Sequence, residues 1–270
     1  MDALHKKYES LKTLLRGYGS AAVAFSGGVD SSFLLKAAAE ALGDRAIALT
    51  AAPSFVPRRE LKEAEAFCRE NRIRQIVLPA EAFSLEEARK NPPDRCYRCK
   101  AELFSRMRER AEAEGFSVVI EGSNADDLLD YRPGMQALKE LGIRSPLLEA
   151  GLSKAEIREL SREMCLPTWD KPSFACLASR FPVGEEISDE KLQTVERSEQ
   201  FLRDCGFRQF RVRLHGSLAR IELLPEELEK AAKPKMRKRI TDALEEYGFR
   251  YVTLDLTGYR TGSMNEVQRK

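Results

Sequence analysis

Apolar residues along this chain keep two rhythms. Between residues 4 and 18, Leu4, Tyr8, Leu11, Leu14 and Leu15 recur every three or four positions, as on one side of an amphipathic helix. The next run, Ala21-Ala22-Val23-Ala24-Phe25, is unbroken, as in a strand covered on both faces. Helical spacing returns in Ser32-Phe33-Leu34-Leu35-Lys36-Ala37-Ala38-Ala39. A second buried strand is expected over 46–50, a helix over 60–71 and a third strand over 73–78. A fourth strand is expected at Val118-Val119-Ile120 and a short fifth over 144–148. Strands alternating with helices predict an α/β fold, a doubly wound parallel sheet with helices on both faces. Ligands of such sheets lie beyond the carboxyl ends of the strands.

After Pro182 the rhythm changes. A helix is expected over 188–205, and 209–214 and 218–224 alternate polar and apolar residues around Gly216. That is a hairpin signal, with Arg211 and Arg213 on one face. A helix over 234–247 and a strand over 251–256 follow, then a turn-rich tail, Gly258-Tyr259-Arg260-Thr261-Gly262-Ser263-Met264-Asn265. The expected organisation is a parallel-sheet domain over 1–182 and a smaller α+β domain over 183–270. No internal repeat or low-complexity tract interrupts it.

Composition narrows the class. The chain has 270 residues, enough for one large or two modest domains with a buried core. With 43% hydrophobic and 33% charged residues it reads as a soluble globular protein, and no apolar run is long enough to span a bilayer. The start, Met1-Asp2-Ala3-Leu4-His5-Lys6-Lys7, lacks the apolar core of a signal peptide, so a cytoplasmic location is expected. There, six cysteines point to metal binding or catalysis rather than to disulfides. Cys68, Cys165 and Cys205, in or ending helical patterns, are expected to be small buried hydrophobes. A net charge of +2 announces no global basic field. The stretch 203–239 nonetheless carries eleven Lys and Arg against five acids, which suits an anionic substrate or RNA. For 233–239 a solvated basic helix end is the plainer reading.

The chemistry starts at Ser26-Gly27-Gly28-Val29-Asp30-Ser31-Ser32, where the first strand turns into its helix. The first helical N–H groups have no partner within the helix, and the positive end of its dipole points there, so the place suits an anion. Glycines let the backbone come close to a ligand. Ser26, Ser31 and Ser32 add hydroxyls, and Asp30 suits a magnesium ion that carries phosphates. An ordinary Gly-rich turn capped by serine would not need all seven residues between a strand and a helix. The stretch has no Gly-Lys-Ser/Thr ending and is therefore not a P-loop. It resembles the PP-loop of the ATP pyrophosphatases, Ser-Gly-Gly-x-Asp-Ser, enzymes that cleave ATP between its α and β phosphates.

Other stretches add to this. The segment after the second strand, Thr50 to Phe55, is placed by the sheet rule to meet the nucleotide base. Cys96-Tyr97-Arg98-Cys99 at a helix start suits a metal or an activated thiol. Glu121-Gly122-Ser123-Asn124-Ala125-Asp126-Asp127 ends the fourth strand, where Asn124 and Asp127 suit ribose or magnesium; capping of the next helix is equally compatible. Ser153 and Glu156 form a capping box around Lys154, a phosphate ligand or an exposed surface lysine. The loop from Trp169 to Pro182 has two prolines, the only tryptophan and Cys176 outside any period, as functional loops often do, although a structural cysteine fits as well.

Together these stretches resemble the LarE family along nearly the whole chain. The resemblance rests on the PP-loop, residues 121–127 and 145–158, Cys-Leu-Ala-Ser-Arg at 176–180, the hairpin through Arg213 and Glu222, and the Gly-Tyr-Arg-x-Gly-Ser-Met tail. It implies conversion of the carboxylates of pyridinium-3,5-biscarboxylic acid mononucleotide to thiocarboxylates, for the nickel-pincer cofactor of lactate racemase. It also implies ATP and magnesium as cofactors and a homohexamer. Two sulfur chemistries occur in this family. In one, the cysteine matching Cys176 gives up its own sulfur and becomes dehydroalanine. In the other, three cysteines hold a [4Fe-4S] cluster with one iron open to sulfide. The presence of Cys96 and Cys99 beside Cys176 favours the cluster, with the source of sulfide unknown. By the same resemblance Arg180, Arg211 and Arg213 bind the substrate's phosphate and carboxylates. Glu199 and Glu222 take protons or simply pair with arginines. A tRNA thiolation enzyme, supported by the basic stretch, is the nearest rival, yet the chain has no recognisable RNA-binding module. A nucleotide-binding regulator with a structural zinc at Cys96 and Cys99 is a rival of another class.

Overall fold

The computed structural model describes residues 2–129, 133–173, 175–260 and 264; Thr261, Gly262, Ser263 and Asn265 of the tail and Phe174 of the loop 169–182 lie outside them. Contacts divide the chain into two units, Met1–Ala88 with Asp94–Phe174, and Arg89–Pro93 with Ala175–Lys270.

The first unit follows the strand–helix alternation. Helix α1 (Ala3–Gly17) starts at Asp2, whose carboxylate accepts from the His5 N–H. Strand β1 (Ala21–Ala24) leads through the serine–glycine loop into α2 (Val29–Leu42). Then come β2 (Ala46–Ala51), α3 (Arg58–Glu70), β3 (Gln75–Leu78), a short α4 (Glu86–Arg89) that reaches the inserted segment, and α5 (Arg95–Ala113). Strand β4 (Val119–Ile120), α6 (Pro133–Glu140), α7 (Pro146–Glu149) and α8 (Lys154–Glu163) complete it. The sheet order is β3-β2-β1-β4 and every pairing is parallel. Strand β1 lies in the middle, paired Ala21 to Ala46 on one side and Ala22 to Val119 on the other. Its neighbours in the core include Leu11 and Leu15 of α1 and Phe33 of α2, each with no exposed surface.

The expected fifth strand does not form. A single bridge joins Ile120 to Arg144, and Pro146–Glu149 is a helical turn instead. Proline has no N–H to give to a ladder, and its fixed φ suits the first position of a helix.

In the second unit, α9 (Asp189–Asp204) is capped by the Ser188 side chain on the Lys191 N–H. Strands β5 (Phe210–His215) and β6 (Leu218–Leu223) form the hairpin, α10 (Leu228–Ala232) and α11 (Pro234–Glu246) follow, and β7 (Tyr251–Leu254) pairs parallel with β6. Gly216, first in the two-residue loop, takes φ +60°, the positive value that such hairpin turns require. The hairpin pairs Arg211 with Glu222 and Arg213 with Arg220. Sequence reading puts the boundary at Pro182, whereas the contacts put it between residues 174 and 175. The strip 175–182 folds with the second unit because Arg180 is clamped on Glu199 of α9. Arg89–Pro93 joins it through Asn91, whose carbonyl accepts from Gly184 N–H at 2.8 Å and whose side-chain amide donates to the Pro182 carbonyl at 2.6 Å.

Of the cysteines expected to be buried, only Cys68 is, and burial pushes its thiol up to about 12. Cys165 is exposed, at φ +54° one residue beyond the cap of α8, and Cys205 is half-buried as the C-cap of α9. Both sit where a helix has ended and its apolar stripe no longer faces the core.

Candidate functional site

The loop over 26–32 is shaped by glycine and tied by hydroxyls. Gly27 adopts φ +70°, and a Cβ there would come within 3.2 Å of the Ala64 Cβ of α3. Beyond it, Ser26 Oγ and Ser31 Oγ lie 3.0 Å apart, and Ser31 Oγ donates to the Gly28 carbonyl at 3.3 Å. Helix α2 begins at Gly28 with no side chain on its first N–H groups, which leaves those donors for a ligand. Ser32 is fully buried. The approach of the β4 end is equally close: a Cβ on Gly122 would lie 3.1 Å from the Ser31 nitrogen.

That approach gathers the predicted polar residues. Asn124 Nδ2 donates to Asp30 Oδ1 at 3.4 Å, and Lys154 Nζ donates to Asp30 Oδ2 at 2.5 Å. The Asn124 N–H donates to Asp127 at 3.0 Å, so the two carboxylates expected to hold magnesium flank one asparagine. Lys154 owes its place to the capping box, which is present in full: Ser153 Oγ accepts from the Glu156 N–H, and Glu156 accepts from the Ser153 N–H. Magnesium commonly takes one or two carboxylates and completes its shell with phosphate and water, and Asp30 at the helix start fits that habit. Thr50 is buried at the end of β2 and accepts from Gln75 Nε2 at 2.8 Å, which leaves its hydroxyl proton to donate.

Two residues here lie in stretches that the sequence singles out, yet it gives them no role of their own. Glu121 is buried and accepts from the Ser123 N–H, the Ser123 hydroxyl and the Ser145 hydroxyl, which fixes the end of β4. Lys171 donates to the Gly27 carbonyl at 2.9 Å and pairs with Glu60 and Glu63 of α3. The only sequence signal for Lys171 is its place in a proline-bounded loop.

The second unit holds a buried cluster of arginines and glutamates. Arg180 has no exposed surface; its Nε and Nη2 each reach a Glu199 oxygen at 2.8 Å. Its Nη1 donates to the carbonyls of Ala175 at 2.7 Å and Cys176 at 3.0 Å. Burial opposes its charge, but Glu199 outweighs burial and holds its pKa above the usual value. Burial likewise works against the Glu199 carboxylate, and Arg180 overcomes it, keeping the carboxyl below its usual range. Arg213 donates to Glu222 at 2.7 Å and to the Ser179 carbonyl at 3.0 Å. Glu222, fully buried, also faces Arg220, which holds Asp255 at 2.6 Å. Arg211 is pushed down to about 10, by burial first and then by the like charge of Arg180, with Arg213 adding to it. An anion relieves that crowding. Tyr259 stacks over Arg211, 4.9 Å from ring centre to guanidinium carbon. Its position depends on Gly258, where a Cβ would meet the Leu223 carbonyl at 2.8 Å. By its own residues the tail reads only as turn-rich, and nothing in it announces that aromatic cover.

The basic stretch 203–239 thus divides. Arg211 and Arg213 are buried, whereas Lys233, Lys235, Arg237, Lys238 and Arg239 are exposed on and before α11.

The cysteines form no disulfide. Cys96 and Cys99 lie three residues apart in the first turn of α5, a spacing that shares one helix face. Cys96 and Cys176 are exposed and Cys99 is half-buried. Among the described residues, no three His, Cys, Asp or Glu side chains gather into one metal-binding group. Thiols are what iron–sulfur clusters take; Cys96 and Cys99 belong to the first unit and Cys176 to the second.

No helix among the described residues is long and apolar enough to cross a membrane. No protein-family model matches the chain. An uncharacterized protein of Synechocystis sp. is 44% identical over 268 residues, 99% of this chain and 100% of that protein. Pyridinium-3,5-bisthiocarboxylic acid mononucleotide synthase of Lactiplantibacillus plantarum is 35% identical over 271 residues, 100% of this chain and 98% of that enzyme. A subunit of the glutamine-hydrolyzing GMP synthase of Archaeoglobus fulgidus is 27% identical over 207 residues, 69% of this chain and 65% of that polypeptide.

Proposed function

The chain belongs to the family of pyridinium-3,5-bisthiocarboxylic acid mononucleotide synthase, and from that membership we propose that it is an ATP-dependent sulfur transferase. It adenylates the carboxylates of pyridinium-3,5-biscarboxylic acid mononucleotide and converts them to thiocarboxylates. The observation that carries this reading is the reach of Arg180, which sits in the arginine cluster and holds the Cys176 carbonyl. This joins the arginine cluster proposed to bind the anionic substrate to the residue proposed to handle sulfur.

A carboxylate is a poor electrophile because it is anionic and lacks a leaving group. Attack of its oxygen on the α-phosphorus of ATP expels pyrophosphate and supplies AMP as the leaving group. The N–H groups at the start of α2 and the hydroxyls of Ser26, Ser31 and Ser32 would stabilise charge on the departing phosphates. Lys154, beside Asp30, would add a cation there. Asp30, with Asp127, would hold magnesium, which supplies Lewis-acid stabilisation of the phosphates. Thr50 and Asn124 would meet base and ribose. Arg180, Arg211 and Arg213 would bind the substrate's phosphate and carboxylates, since charge-assisted bonds to guanidinium suit both. Glu199, its carboxyl held low, is suited to hold Arg180 rather than to take a proton; Glu222 is the residue proposed to accept one.

For sulfur, Cys96, Cys99 and Cys176 would hold a [4Fe-4S] cluster, which when bound supplies an open iron position for sulfide. The exposure of Cys176 supports a second reading. Its thiolate attacks the acyl-adenylate, expels AMP and forms a thioester; loss of the Cα proton then breaks the Cβ–S bond and leaves dehydroalanine. Intact mass before and after anaerobic turnover with ATP, magnesium and the dicarboxylate separates the two. Pyrophosphate, AMP and thiolated product with an unchanged polypeptide mass are expected. Loss of the mass of H₂S at Cys176 would establish the second reading. No pyrophosphate release with this dicarboxylate would overturn both.

A further inference from the structure

Two adjacent glycines give the nucleotide loop more backbone freedom than a binding site can use. The peptide joining Gly27 to Gly28 turns through ψ of Gly27 and φ of Gly28; Gly28 stands at φ −82°, and without a Cβ on either residue the opposite sign of that φ is also open, so the peptide has two accessible orientations. In a planar trans peptide the carbonyl and the following N–H point in opposite directions. One orientation turns the Gly28 N–H toward the phosphates, and the other puts the Gly27 carbonyl, a partial negative charge, in its place.

One side chain selects between them. Lys171 Nζ donates to the Gly27 carbonyl at 2.9 Å, which leaves the Gly28 N–H on the opposite side, the side of the Ser26 hydroxyl, 3.4 Å away. The ammonium is itself fixed. It lies 2.6 Å from Glu60 and 2.7 Å from Glu63, one helical turn apart on α3, and the side chains of Lys171 and Glu60 are each 10% exposed. The same helix carries Ala64, against which Gly27 is packed. Burial favours the neutral form of Glu60, but Lys171 and Arg59 outweigh it, so the carboxyl stays below its usual range. The pairing is therefore charged where it meets the loop.

We propose that Lys171 is the positioning residue of the nucleotide loop: held by Glu60 and Glu63, its ammonium fixes the Gly27–Gly28 peptide so that the Gly28 N–H faces the phosphates. This role rests on the reading that the loop binds ATP. Lys171 does not touch the nucleotide; it acts through the backbone.

Replacing Lys171 alone leaves a buried Glu60 without its main partner, which costs stability for reasons unconnected with the loop. The informative variant is therefore the double substitution Lys171→Met with Glu60→Gln, which keeps volume and removes both charges. Its ATP affinity, measured by calorimetry on the full chain, is expected to fall at least tenfold. Its melting temperature should stay within a few degrees of the wild type, and affinity for the pyridinium dicarboxylate should be unchanged. Lys171→Arg, which retains a donor cation, is expected to recover part of the ATP affinity. In turnover the defect should appear in KM for ATP more than in kcat. Wild-type ATP affinity in the double variant would overturn the role of Lys171 while leaving the functional reading intact. Absence of ATP binding by the wild-type chain would overturn the reading itself.

Discussion

The serine–glycine loop and the arginine cluster, the two sites proposed for anions, are built by opposite means. In the loop, the groups offered to a ligand are backbone N–H groups and hydroxyls, neutral and shaped by Gly27. Its one carboxylate, Asp30, meets Lys154 near the surface, with side chains 24% and 31% exposed. In the cluster, the groups are full charges with almost no access to water: Arg180, Arg211, Arg213, Glu199 and Glu222. Desolvating a charge costs several kcal/mol, recovered only through well-placed partners. The cluster is therefore part of what folds the second unit, whereas the loop contributes conformation and little stability. A neutral cradle suits a ligand that arrives with its own cation and leaves in pieces. A rigid charged one suits a small molecule of constant negative charge.

The largest effect should come from the cluster. Replacing Glu199 with leucine leaves the Arg180 guanidinium buried without its bidentate partner, and the expected loss is about 3–5 kcal/mol in denaturant unfolding. A loss under about 1 kcal/mol would end the contrast between a site that folds the protein and one that does not. Next is Arg211→Ala. It removes a guanidinium crowded by like charge that also donates to the Phe210 carbonyl and lies against Tyr259, so stability to unfolding should weaken, but by less than for the loss of Glu199. Affinity for the pyridinium dicarboxylate should fall by about 10- to 100-fold, as for a lost charge-assisted hydrogen bond, with ATP affinity intact. Loss of ATP affinity instead would misassign the two sites. Smallest is Ser153→Ala, on the loop side. Removal of this cap should cost about 1 kcal/mol, visible as a modest drop in melting temperature, with only a slight rise in KM for ATP through Lys154.

What could be read from the sequence was local or periodic. The alternation of apolar runs placed four parallel strands, and the capping box at Ser153 and Glu156 was visible because its partners are three residues apart. The strand expected at 144–148 failed at Pro146, where apolar content and backbone chemistry disagree and the missing N–H decides. Cys165 misled because the helical pattern ran beyond the end of the helix itself. Lys171 was invisible for another reason. Its partners Gly27, Glu60 and Glu63 lie more than a hundred residues earlier, and only folding brings a lysine in one loop to the carbonyl of another. The arginine cluster was half legible. The hairpin put Arg211 and Arg213 on one face, but nothing in the spacing required that Glu199 would clamp Arg180.

The capture of residue 176 by its carbonyl carries a consequence for descent. Arg180 grips residue 176 by its main-chain carbonyl, and that hydrogen bond does not depend on what the side chain becomes. A protein that spends the sulfur and one that spares it can present this position with the same frame. On the proposed reading, passage between single-use and recurrent chemistry would need accessory thiols such as Cys96 and Cys99 to be gained or lost, and not this main-chain contact at position 176 to be rebuilt.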